Sequence, residues 1–122
     1  MWDGVNRRRF TRAEYPCLIT LRKNTVPAQA LLTHTEDISV LGVRVIIKQK
    51  IEIATEVALE IDLKDTLPTV FSKGKIKWVE ELASKEKEKP LRYNTGIEFI
   101  TLKDEDKERI QDIIKYISSR KG

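Results

Sequence analysis

The chain has 122 residues, with 40% hydrophobic and 34% charged, the make-up of one water-soluble globular domain. Its net charge of +4 favours an anionic partner only mildly, because Arg7, Arg8, Arg9 and Arg12 concentrate much of the excess in one short stretch. A single cysteine excludes an internal disulfide framework. No apolar run reaches the roughly 18–20 residues that span a bilayer, and the N-terminus has no signal-peptide core. A cytoplasmic protein without membrane insertion is expected.

Residues 1–13, MWDGVNRRRFTRA, show neither strand nor helix period. Four arginines in six positions repel one another, so this segment is expected to be a flexible arm, with residues 14–122 as the folded domain. Trp2 and Phe10 suit either anchoring the arm to the body or stacking on a ligand, with anchoring ranked first because most aromatics serve packing. Glu14–Lys23 alternates: Tyr15, Cys17, Ile19 and Leu21 share one face, and Leu18, Thr20 and Arg22 the other. Cys17 then reads as a small core residue. A turn is expected at Lys23–Pro27 and a second strand over Ala28–Thr35.

That strand leads into Asp37-Ile38-Ser39-Val40-Leu41-Gly42, a D-x-S-x-x-G spacing. If the segment is extended, Asp37 and Ser39 face the same way, an acceptor beside a hydroxyl. Gly42 suits a tight turn or a close backbone approach. Val43–Lys48 resumes alternation with Val43, Val45 and Ile47 inward; the side on which Arg44 falls is left open. Glu56–Leu63 is a strand with Val57, Leu59 and Ile61 inward. Thr69–Glu80 is another, with Ile76 and Trp78 toward the core, Lys73, Lys75 and Lys77 toward water, and a bulge or bend at Gly74. Glu81–Pro90 is a charged loop, and Tyr93–Ile100 the last strand. The period then changes. Thr101 and Asp104 match a T-x-x-D helix start, Asp104, Glu105 and Asp106 suit its positive end, and Ile110, Ile113, Ile114 and Ile117 form an apolar stripe over a helix of about residues 101–119. Six short strands and one helix predict a mainly β fold, a six-stranded antiparallel β-barrel whose open end the C-terminal helix covers.

Catalytic chemistry is poorly provided for. His34 is the lone histidine, no Cys/His cluster has metal spacing, and carboxylate pairs such as Glu80-Glu81 and Asp104-Asp106 fall in solvated segments. No catalytic residue, metal or cofactor is expected. Binding is better served. Arg8 and Arg12 stand at R-x-x-x-R, and a guanidinium holds phosphate oxygens, reads guanine O6 and N7, and stacks on rings. Asp37 matches the N1–H and exocyclic amine of guanine, or else holds an arginine in place. A carboxylate beside arginines suits a guanine nucleotide better than a generic polyanion.

The two motifs in this order resemble the PilZ family, bacterial receptor domains for cyclic di-GMP. The resemblance rests on Arg7-Arg8-Arg9-Phe10-Thr11-Arg12 and Asp37–Gly42, with support from Gly74-Lys75-Ile76-Lys77-Trp78-Val79, Tyr93-Asn94-Thr95-Gly96-Ile97-Glu98-Phe99 and the helix that follows. It implies a ligand, cyclic di-GMP, clamped between arm and barrel by Arg8, Arg12, Asp37, Ser39 and Gly42, with Arg7 and Arg44 ranked behind them. It also implies a stand-alone adaptor that signals to an unidentified protein effector, in motility or exopolysaccharide control. Two rival readings are a domain of the same fold that binds protein and ignores nucleotide, and a basic barrel for single-stranded nucleic acid. Nucleic acid is not the expected partner, because Asp37 would repel phosphates and the strands lack an exposed aromatic platform.

Overall fold

The computed structural model describes residues 14–23, 29–82 and 91–121. The expected arm, the turn after Lys23 and most of the charged loop fall outside them.

Alternation drives the architecture. Six strands put one residue in two inward: β1 (Leu18–Lys23), β2 (Gln29–Ile38), β3 (Gly42–Ile47), β4 (Glu56–Asp62), β5 (Val70–Leu82) and β6 (Arg92–Phe99). They pair antiparallel in the order β1-β2-β3-β6-β5-β4 and close, so the described sheet has no free edge. Ile19, Leu21, Val43, Val45, Val57, Leu59, Ile61, Val70, Ile76 and Ile97 fill the interior, all at most 3% exposed. At about 25 cal/mol per Å² of apolar surface removed from water, this interior is the main source of stability. Cys17 joins it with no exposure, and burial pushes its thiol pKa up. A neutral, enclosed thiol packs rather than attacks.

The antiparallel order brings six strand ends to one rim: the starts of β1, β3 and β5 and the ends of β2, β4 and β6. Helix α1 (Asp104–Lys121) follows β6 directly and joins the core there through Ile110 and Ile114. The capping arrangement predicted for it is not the one observed. Thr101 Oγ1 accepts from the Lys73 N–H at 2.8 Å instead. The helix begins at Asp104, with the Lys103 carbonyl taking the first turn's N–H groups from Asp106 and Lys107. Asp106 is buried and receives a hydrogen bond from Arg109, so it is not part of a solvated carboxylate pair. Arg109 also grips Asp65 with Nε and Nη2, tying α1 to the β4–β5 loop.

Two local expectations shift. The bulge lies between Ile76 and Trp78, while Gly74 pairs regularly with Val57 and Phe99. The extra residue turns Trp78 away from the interior, where it is half-buried, and Val79 packs against the core instead. β2 continues through Ile38 with an irregularity between Thr35 and Asp37, so Asp37 belongs to the strand rather than to a following loop.

Candidate functional site

Pairing register assembles a row of side chains across four strands. Asp37 of β2 pairs with Arg44 of β3, Arg44 with Gly96 of β6, and Gly96 with Trp78 of β5. Directly paired residues project from the same face of a sheet. Val43 and Val45, the neighbours of Arg44, are buried, so this face is the outer one. Gly96 is needed there: a Cβ on it would meet the Trp78 indole Nε1 at 2.2 Å, so its absence lets the ring lie against the β6 backbone.

Polar contacts run along the same face. Arg44 Nε donates to Asp37 Oδ2 at 2.7 Å, and Arg44 Nη1 donates to Asn94 Oδ1 at 3.0 Å. Asn94 Nδ2 donates to Glu80 Oε1 at 3.3 Å. The Asp37 side chain is 17% exposed and that of Arg44 30%, so the pair is accessible at the surface yet held by its neighbours. Arg44 offsets the carboxylate's charge, which reduces the repulsion that an isolated Asp37 would exert on a phosphate.

Ser39 does not stand beside Asp37 as simple alternation predicts. β2 has ended, and the chain turns: Ser39 N–H donates to the Gly42 carbonyl at 2.9 Å, and Ser39 Oγ accepts from the Leu41 N–H at 3.1 Å. Ser39 is only 1% exposed, so its hydroxyl shapes the turn from within. Gly42 opens β3 at the close of this turn. A Cβ there would stand 2.0 Å from the Ile97 carbonyl oxygen, so its glycine is required by the approach of β3 to β6. The turn is pinned from outside by the Phe99 N–H, which donates to the Leu41 carbonyl at 2.8 Å.

Arg7, Arg8 and Arg12 lie outside the described residues. The path leading to them is defined, however. Cys17 N–H donates to Thr35 Oγ1, Thr35 N–H to the Cys17 carbonyl, and Thr35 Oγ1 to the Tyr15 carbonyl. The segment is antiparallel to β2, so tracing the chain back from residue 17 to residue 14 leads toward the Asp37 end of β2. Tyr15 is fastened from the other side, its hydroxyl donating to the Leu63 carbonyl.

Trp78 and Asn94 were not singled out as site residues from sequence. The available signal was Gly96, a glycine in mid-strand, which marks a backbone that something else approaches closely. His34, the lone histidine, places Nε2 at 3.3 Å from Glu36 Oε2 on an exposed part of β2. Among the described residues, no cluster of His, Cys, Asp or Glu has the arrangement of a metal site, and no helix is long and apolar enough to cross a membrane.

Comparison with known proteins is informative at the level of family and fold. The family model described as PilZ domain matches residues 6–116. No curated protein matches the sequence. Among solved structures, the Bacillus subtilis inhibitor of motility (MotI/DgrA) superposes with a TM-score of 0.75 at 13% identity, over 94% of this chain and 53% of that one. The PilZ domain of YcgR from Escherichia coli, solved with c-di-GMP, gives 0.68 at 13% identity, covering 93% of both chains. The K. pneumonia MrkH–c-di-GMP complex gives 0.67 at 18% identity, over 95% of this chain and 56% of that one. The chain thus spans about half the length of the MotI and MrkH chains and nearly all of the YcgR domain.

Proposed function

The chain belongs to the PilZ domain family, and from that premise we propose that it is a receptor for cyclic di-GMP that passes the signal to a protein effector. The observation that carries this reading is the row Asp37–Arg44–Gly96–Trp78, whose Asp37 end stands at the rim toward which the N-terminus runs. YcgR and MrkH, two structures of the same fold, were solved with that dinucleotide.

In this reading residues 1–13 form an arm, flexible without ligand, and residues 14–122 the receptor domain. Arg12 is two residues from Glu14, so at about 3.3–3.6 Å per residue its backbone lies within about 7 Å of the arm's root. Arg8 is four residues further out, long enough to cross the dinucleotide. Arg8 and Arg12 hold phosphate and guanine, with Arg7 a further phosphate contact. Asp37 accepts from the guanine N1–H and exocyclic amine, and Arg44 keeps its carboxylate aimed. Ser39 and Gly42 set the turn against which the ligand rests. The Trp78 ring offers a face for stacking, an interaction of about 1–3 kcal/mol per base. Ordering an arm residue costs about 1–2 kcal/mol of backbone entropy, so several charge-assisted contacts are needed together.

The chain then acts by binding and by exposing a composite surface, not by catalysis. Cytoplasmic work in motility or exopolysaccharide control is the matching setting, and the lone, enclosed thiol of Cys17 fits a reducing compartment. Isothermal calorimetry with cyclic di-GMP is the test. Arg8→Ala and Arg12→Ala should each weaken binding at least tenfold while the circular dichroism spectrum stays native. Wild-type affinity in both variants would overturn the site assignment.

A further inference from the structure

Four strands lay one hydrogen-bonded chain of side chains across the outer face of the barrel. Asp37 of β2 accepts from Arg44 Nε of β3 at 2.7 Å, and Arg44 Nη1 reaches the other way, to Asn94 Oδ1 of β6 at 3.0 Å. Asn94 Nδ2 then donates to Glu80 Oε1 of β5 at 3.3 Å. Glu80 and Asn94 are directly paired in the β5–β6 register, so they project from the same face. Asn94 is half-buried and Glu80 exposed, and neither belongs to the two motifs read from the sequence.

An arginine held at one point is a loose support. Its side chain is long and rich in rotamers, and Asp37 alone fixes only Nε. The second bond, from Nη1 of the same planar group, fixes the plane, because its partner stands on the strand at the other side of β3. Asn94 must offer oxygen there, since a guanidinium only donates. An amide can present either end. Glu80, a carboxylate that only accepts, draws the Nδ2 end and leaves Oδ1 for Arg44.

We propose that Asn94, its amide set by Glu80, is a positioning residue for Arg44 and through it for the Asp37 carboxylate, and that this chain sets a preference for guanine over adenine. The proposal rests on the receptor reading and deepens it. Guanine offers Asp37 an N1–H and an amine, whereas N1 of adenine is an acceptor and leaves the carboxylate unpaired. A site built on such donors rejects the analogue that lacks them only while its acceptor is held in place.

The test is calorimetry on the full chain with cyclic di-GMP and cyclic di-AMP, beside ¹⁵N-arginine spectra of the nucleotide-free protein. Wild type should prefer the guanine dinucleotide by at least about tenfold. Asn94→Leu should cut that preference by about three- to tenfold, the scale of one hydrogen bond, and keep a native circular dichroism spectrum. It should also shift the Arg44 Nε–H resonance while that of Arg22, paired with Glu60, stays in place. Glu80→Gln, an exposed change, should act in the same direction and less, and it carries the comparison if Asn94→Leu does not fold. Asn94→Asp has no wrong end to present and should restore most of the preference. In an Arg44→Ala background, Asn94→Leu should have no further effect, the signature of action through Arg44. An unchanged preference in Asn94→Leu, an equal loss with and without Arg44, or an Arg44 resonance indifferent to residue 94 overturns the positioning role. Asn94→Asp as poor as Asn94→Leu overturns the hydrogen-bond account, and equal binding of both dinucleotides by wild type overturns the guanine preference. If wild type binds neither, the receptor reading fails, and the Arg44 resonance still decides whether Asn94 holds the guanidinium.

Discussion

Gly42 and Asp37 belong to one motif and answer to different forces. Replacing Gly42 by alanine places a methyl group 2.0 Å from the Ile97 carbonyl oxygen, a backbone atom with little freedom to retreat. Gly42→Ala should therefore destabilise the barrel by about 1–3 kcal/mol or more, the range for overpacking, as read from urea denaturation. Asp37→Ala should behave in the opposite way. The Asp37–Arg44 pair is partly exposed, and such pairs contribute about 0–1 kcal/mol to stability. Urea denaturation of Asp37→Ala should show a midpoint close to wild type, while calorimetry with cyclic di-GMP should show binding weakened at least tenfold. Wild-type stability of Gly42→Ala would contradict a steric role for the glycine, and wild-type binding by Asp37→Ala would contradict a ligand contact by the carboxylate.

Among the elements, α1 depends on a charge cluster as well as on its isoleucines. Burial acts to raise the Asp65 pKa, but the hydrogen bonds from Arg109 and from the Leu67 N–H outweigh it and leave the carboxyl below its ordinary value. A carboxyl depressed in the folded state stabilises above its unfolded pKa, near 3.9, and that contribution is lost as the pH falls through the folded value. Thermal melts should thus show the Asp65 contribution intact from pH 5 to 7 and fading below about pH 4. Asp65→Asn should lower the melting temperature at pH 7 and flatten the acid side of the profile. The loop that presents Asp65 is itself costly, because Lys64 and Thr66 both adopt positive φ, near 58° and 65°. Asp62 and Asp65 hold it by accepting from the backbone N–H groups two residues on.

For the molecule as a whole, closure of the sheet separates folding from recognition. The described strands enclose a buried core of their own; in the receptor reading, ligand binding adds to a barrel already formed. A ligand that binds only the folded state stabilises it by about 2.7 kcal/mol at a hundredfold excess over Kd. Cyclic di-GMP at that excess should raise Tm by several degrees, and Arg8→Ala should abolish most of the rise at the same concentration. Scanning fluorimetry reads both outcomes, and a Tm indifferent to nucleotide would contradict the receptor reading.

Alternation was sufficient to place all six strands, most of their inward residues and the closing helix, because period two and period 3.6 are written in neighbouring residues. Local patterning could not place Trp78, since a one-residue bulge before it reversed the expected face. Nor could it place Ser39, because β2 ended one residue earlier and a turn took its hydroxyl inward. Thr101 likewise went to a strand neighbour, Lys73, rather than to the helix it precedes. The order of residues along the chain was enough for the inventory: which strands exist, which faces they bury, and a motif pair resembling one family. Adjacency came only with the folded barrel, in the meeting of Asp37, Arg44, Gly96 and Trp78 in one row and of Arg44 with Asn94. Those contacts join residues up to about fifty positions apart, and inter-strand register with its bulges, which no local spacing encodes, sets which of them meet.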